Sequence, residues 1–195
     1  MLIYDVVALY DPYGVLPGLQ WQTRDRLKTL ASRFEQTTGL LLRTRRLGGR
    51  RTCGEQNQLY AQGRGGGGDI VTYASGCTSW HVLGRALDVD VINRAGSMQP
   101  ESAYRVAGQI WHTLGGVWGG TFPGFPDIGH FEYHPGLKIE DVCPSATYCD
   151  AVQAGVQTSA PFSRYAIIGA VAALMGYAGW SAWRSRIALA HRFGY

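Results

Sequence analysis

The stretch SWHVLGRALDVD, residues 79–90, sets Ser79, His81, Gly84 and Asp88 at fixed offsets ahead of an alternating apolar run. An imidazole and a carboxylate separated by a turn-permitting glycine suit a pair of metal ligands. They suit equally well a capped turn packed against a core. Histidines stand at positions 81, 112, 130, 134 and 191. His112 falls inside an amphipathic helical pattern and His191 beyond a long apolar run, so neither is a first choice for chemistry. Around His130 the chain reads DIGHFEYH, with Asp127 three residues ahead of the histidine. In an extended strand His130, Glu132 and His134 share one face, so Glu132 could act as a base or orient an imidazole. No H-E-x-x-H helix is present, which excludes the commoner zinc-protease plan. The cysteines, at 53, 77, 143 and 149, form no C-x-x-C pair, which argues against a structural zinc cluster.

These residues need a frame. Apolar positions 27, 30, 31 and 34 within LQWQTRDRLKTLASRFEQTTG describe an amphipathic helix that stops at Gly39. LLLRTRRL follows as a strand. Thr52 and Glu55 stand at capping-box spacing and start a second helix that runs to about Gln62. GRGGGGD lacks the Gly-Lys-Ser/Thr ending of a phosphate loop and reads as a flexible connection. RALDVDVI alternates as a strand. Ala103, Val106, Ala107, Ile110, Trp111 and Leu114 line one face of a helix between Pro100 and Gly115. GHFEY is a short strand, and the apolar N-terminal stretch MLIYDVVALYDPYG is expected to pack on the domain. Helices and short strands interleave without a βαβ rhythm, so the expected class is α+β with a small antiparallel sheet flanked by helices.

At 195 residues the chain has room for one domain and an appendage. Its 46% hydrophobic and 16% charged residues exclude a disordered chain. The net charge of +4 is carried mostly by arginine and concentrates at Arg43, Arg45, Arg46, Arg50, Arg51 and Arg64. Such a cluster fits a solvated strand face, an anionic wall polymer or phospholipid better than nucleic acid, which is not expected as a partner. The cysteines favour at least one disulfide, with Cys143–Cys149 the easiest pair to close, while buried thiols remain the alternative. Residues 165–183, YAIIGAVAALMGYAGWSAW, carry no charge. As a helix they would span roughly 28 Å, close to a hydrocarbon core of about 30 Å. Aromatic residues near both ends and flanking arginines fit a membrane anchor with the main domain outside. The expected organisation is therefore a main domain at 1–149, a linker at 150–163, an apolar transmembrane helix at 164–184 and a basic tail at 185–195.

Ser79-x-His81-x-x-Gly84-x-Ala86-x-Asp88, Asp127-Ile-Gly-His130-Phe131-Glu132, WGG at 118–120 and RRTCGEQNQLYAQGR together resemble the D-alanyl-D-alanine carboxypeptidase and L-alanyl-D-glutamate endopeptidase family of zinc peptidases. The resemblance runs over residues 15–137. It implies a hedgehog-like peptidase fold and a zinc ion held by His81, Asp88 and His130, with one position left for water. It also implies Asp127 as the catalytic base and Arg51, followed by Thr52, as the positive donor for the developing oxyanion. Ser79 either caps the turn or touches substrate; Gln58 and Tyr60 match the family pattern and suit packing as well as substrate contact. The implied substrate is a peptidoglycan stem peptide, cut between L-Ala and D-Glu or at D-Ala-D-Ala. A zinc-holding structural or wall-binding module without turnover is the non-enzymatic alternative. Such an enzyme would face the wall from a membrane or travel with a virion, alone or as a homo-oligomer, in the manner of a phage lysin.

Overall fold

A computed structural model describes residues 9–65, 67–143 and 145. Five strands and four α-helices follow one another along them: β1 Leu9–Tyr10, α1 Trp21–Thr38, β2 Leu41–Thr44, α2 Cys53–Ala61, β3 Ala86–Ile92, α3 Glu101–Thr113, β4 Val117–Trp118, β5 His130–Glu132 and α4 Ile139–Val142. The strands form one sheet in the order β1-β2-β3-β5-β4. The expected antiparallel pairing holds from β2 to β4. It fails at the edge, where β1 runs parallel to β2 with Leu9 beside Leu42, so the sheet is mixed. This edge pairing fastens Leu9 and Tyr10 to the sheet, while residues 1–8 of the N-terminal stretch lie outside the described residues. Asp11 fastens it further by accepting from the Val15 and Leu16 amides at 3.0 Å each and from the Thr44 hydroxyl at 2.7 Å.

The helix signals read as they stand. Leu27, Leu30, Ala31 and Phe34 are the buried stripe of α1, which ends on Gly39 in the left-handed conformation. Thr52 and Glu55 close a reciprocal capping box at the start of α2. Both α1 and α3 lie against one face of the sheet, where Leu42, Leu87, Val89, Val91 and Phe131 meet the α1 stripe and Ala107 and Trp111 of α3. Each large apolar side chain fully buried there contributes about 1.5–3 kcal/mol. Trp111 also does polar work: its indole N–H donates to the carbonyls of Val117 and Glu132 at 3.1 and 2.9 Å, tying α3 to β4 and β5.

Period-two alternation sends the other set of side chains to the opposite face. From β3 these are Asp88 and Asp90, from β5 His130 and Glu132, and from β2 Arg43. The register puts Asp88 directly opposite His130, and Arg43 opposite Asp90. One layer of helices therefore insulates the core while the opposite face of the sheet carries the polar constellation, Asp88 being only 8% exposed there.

Cys53 is disulfide-bonded. Cys143 Sγ lies 2.7 Å from Cys77 Sγ, so the residue that the structure brings to Cys143 is Cys77. Cys149, the partner that chain proximity suggested, is outside the described residues, as are the linker and the apolar run at 165–183. Among the described residues no helix is long and apolar enough to cross a membrane.

Candidate metal centre

His81 reaches the site from the turn that precedes β3. Gly84 makes that turn: its φ of 64° is in the left-handed region, its amide donates to the His81 carbonyl, and a Cβ there would stand 2.9 Å from the Gly18 carbonyl. The chain thus folds back so that His81 and Asp88 meet across seven residues. Asp88 and His130 meet across the β3–β5 pairing. His81 Nε2 is 3.2 Å from Asp88 Oδ1 and 3.1 Å from His130 Nδ1, and His130 Nδ1 is 2.8 Å from the same carboxylate oxygen. All three donors are buried.

The outer contacts decide what these inner atoms offer. His81 Nδ1 is 2.8 Å from the Gly49 carbonyl, which can only accept, so Nδ1 carries the proton and the Nε2 lone pair faces inward. His130 Nε2 donates to Glu132 Oε1 at 2.8 Å, leaving Nδ1 as the inward atom. Two imidazole nitrogens and a carboxylate oxygen therefore converge within van der Waals distance. Three electron-rich atoms in that arrangement call for a cation or a proton between them. The titration behaviour agrees. Burial lowers the His81 pKa and keeps that ring neutral, Asp88 only partly offsetting it. Burial also acts against a charge on His130, yet its hydrogen bonds to Asp88 and Glu132 outweigh burial and carry it to about 10. Burial opposes ionisation of Asp88, but the two imidazoles overcome it and hold the carboxyl well below its usual range. The pocket is built around positive charge. Two imidazoles and one carboxylate are a donor set suited to zinc with an open position.

A second ring of contacts holds the donors. Glu132 bridges His130 and His134, its other oxygen taking the His134 Nε2 hydrogen bond at 3.0 Å. Its pKa falls to about 2 because these two imidazoles overcome the cost of its burial. His134 is stacked on Trp80, with ring centroids 4.0 Å apart and planes 6° from parallel. His134 thus supports the centre through Glu132. Arg51 donates to the second Asp88 oxygen at 2.6 Å, to Gln56 Oε1 at 3.1 Å and to the Leu47 carbonyl at 3.0 Å. That places it beside the centre and orients the carboxylate.

A cavity of about 710 Å³ opens over these residues, lined among others by Arg45, Arg51, Ser79, Phe122, Phe125 and Asp127. Asp127 Oδ1 accepts the Gly129 amide at 3.1 Å, which fixes the carboxylate at the entrance to β5. His81, Asp88, His130, Asp127, Arg51 and Ser79 are therefore gathered on one cavity. Gln58 is not: it lies exposed on α2, away from that cavity. The glutamine that reaches the site is Gln56, buried on the same face of α2 as Cys53, and it joins Arg51 to the Ala74 carbonyl. Arg45 was visible only as one of a basic cluster. The alternation of R-T-R, running from β2 into the residue just after it, is the signal that puts Arg43 and Arg45 on the polar face.

Residues 72–133 match the family model described as D-alanyl-D-alanine carboxypeptidase. The peptidoglycan L-alanyl-D-glutamate endopeptidase CwlK of Bacillus subtilis (strain 168) is 37% identical over 97 residues, covering 45% of this chain and 58% of that protein. The chain thus spans less than two thirds of that relative's length. A crystal structure of the L-Ala D-Glu endopeptidase ChiX of Serratia marcescens covers 69% of this chain and 96% of its own, at 17% identity and a TM-score of 0.46. The matched residues 72–133 contain His81, Asp88, Asp127 and His130.

Proposed function

We propose that this protein is a zinc-dependent peptidoglycan endopeptidase that cleaves stem peptides between L-Ala and D-Glu. The observation that carries the reading is the convergence of His81 Nε2, Asp88 Oδ1 and His130 Nδ1 on the floor of an open cavity. Zinc held there would supply a Lewis acid and an acidified water at neutral pH. The chain's own residues do the rest. Asp127 takes a proton at its carboxylate and returns it to the leaving amine. Arg51, 2.6 Å from Asp88, brings a fixed positive charge to the side of the centre where oxyanion charge develops. Phe122 and Phe125 form an apolar wall that limits water around the peptide. Ser79, buried at the cavity edge, offers a hydroxyl to the substrate backbone.

The choice of bond follows from the similarity to the Bacillus endopeptidase. The description of the matched family favours a second reading, removal of a terminal D-Ala. A synthetic stem pentapeptide separates them by mass spectrometry: L-Ala released from the amino end supports the endopeptidase, whereas loss of the terminal D-Ala supports the carboxypeptidase. No cleavage by a folded, zinc-loaded protein would leave a binding module. We place the activity in wall lysis or penetration, with residues 165–183 as a tether to a membrane. Flotation of the full chain with vesicles, lost on removal of residues 164–195, tests the tether.

A further inference from the structure

Arg45 lies beside the centre without touching the converging donor atoms. Its amide donates to the Asp88 carbonyl at 3.1 Å, so its backbone is fastened to the strand that carries the carboxylate ligand. Its Nε donates to Asp90 Oδ1 at 2.8 Å, which aims the guanidinium. The guanidinium then lies against the Cα of Gly129. A Cβ at that position would stand 2.6 to 2.9 Å from Nη2, Cζ and Nη1, so only glycine leaves the space. Among the described residues the two terminal nitrogens make no hydrogen bond, although the side chain lines the cavity and is 40% exposed. The charge field of Asp127 and Asp88 reaches it there. A cation with one edge engaged and the other turned to a substrate cavity is shaped to receive a planar anion through two parallel hydrogen bonds.

We infer that Arg45 is a specificity-determining residue: it reads a free carboxylate on the residue that follows the scissile amide and discriminates against the corresponding carboxamide. The inference rests on the peptidase reading above. Asp127 delivers its proton to the leaving amine, so the residue bearing that amine sits next to Asp127, and Arg45 is the cation on that side. In a D-Glu joined to L-Ala through its amino group and to the next residue through its side chain, the α-carboxylate is two bonds from the leaving nitrogen. It is therefore the anion nearest to Arg45.

The test uses the full zinc-loaded chain and two synthetic peptides that differ only in having the α-carboxylate of D-Glu free or amidated. The wild-type protein is expected to prefer the carboxylate by roughly ten- to a hundredfold in kcat/KM, the worth of one charge-assisted pair. In Arg45→Gln that ratio falls to within about threefold of unity. Asp90 keeps Arg43 at 2.8 Å in this variant, so no buried carboxylate is orphaned. Gly129→Ala is the second variant, since it displaces the guanidinium without removing its charge, and it too is expected to lower the ratio. Equal cleavage of both peptides by the wild type, or a preference that persists in Arg45→Gln, overturns the inference and leaves the peptidase reading standing. Cleavage of neither peptide overturns the peptidase reading and the inference with it.

Discussion

Replacing Glu132 by Gln keeps the size and the hydrogen-bonding oxygen of the side chain but removes the charge between His130 and His134. The carboxylate lies 2.8 Å from His130 Nε2 and its side chain is only 12% exposed, so water replaces little of what is lost. Two effects then oppose each other. His130 becomes a poorer donor, and removal of an outer carboxylate of this kind weakens metal binding by about 10–100-fold. His130 also holds its own proton less tightly, which eases the displacement that metal binding requires. The second effect operates only below the His130 pKa, which is about 10 in the metal-free protein. The sign follows directly. Each bound ion displaces one proton from His130, so wild-type zinc affinity rises by about tenfold per pH unit through neutrality. In Glu132→Gln the rise is shallower, and the deficit against wild type widens toward alkaline pH. Competition against a chelator of known affinity between about pH 6.5 and 8.5 measures both slopes. Identical affinities and identical slopes in the two proteins would refute the argument that Glu132 acts on the centre through His130.

Other expectations follow from single contacts. Asp127→Asn is expected to keep the hydrogen bond to the Gly129 amide and leave zinc binding intact, while the turnover of a stem peptide falls by about 10²–10⁴-fold; an unchanged rate would overturn the proposed role of Asp127 as base. Trp111→Phe leaves the Val117 and Glu132 carbonyls without their indole donor and costs about 1–3 kcal/mol in urea unfolding. Burial raises the Asp11 pKa, but hydrogen bonds from Leu16, Thr44 and Val15 outweigh it and hold the carboxyl below its usual value. Its contribution to stability is therefore complete above the ordinary carboxylate pKa and fades as pH falls through the lowered one. Asp11→Asn should accordingly lower the thermal midpoint at neutral pH and flatten its acid dependence, whereas parallel wild-type and variant profiles would contradict this.

Local signals that specify their own backbone were legible in the sequence. Gly39 ends α1 because a left-handed residue there accommodates the turn, and Thr52 with Glu55 starts α2 because the two side chains satisfy each other's amides. The alternation in RALDVDVI assigned β3 and placed Asp88 and Asp90 on a common face. The sharing of a face by His130, Glu132 and His134 was equally legible, and it becomes the hydrogen-bonded chain that supports the centre. Long-range pairing was not legible. Nothing in Leu9 and Tyr10 announces a parallel partner, and a two-residue strand such as Val117–Trp118 carries no period. The glutamine was misplaced for a related reason. Helix α2 has too little apolar patterning to show which side faces inward, and the three-residue step from Cys53 to Gln56, not the position of Gln58, marks its buried face. Cys77 and Cys143 lie 66 positions apart in sequence, so their approach depends on the packing of α4, which chain proximity does not reveal.

The claim on which the rest depends is that His81, Asp88 and His130 hold one divalent cation. Titration of the metal-free full chain with zinc, followed by calorimetry and by native mass spectrometry, tests it directly. The account predicts one ion per chain and loss of that ion in both His81→Ala and His130→Ala, with each variant shown to be folded by circular dichroism. Zinc binding that survives both substitutions, or no stoichiometric binding by the wild-type chain, would contradict it.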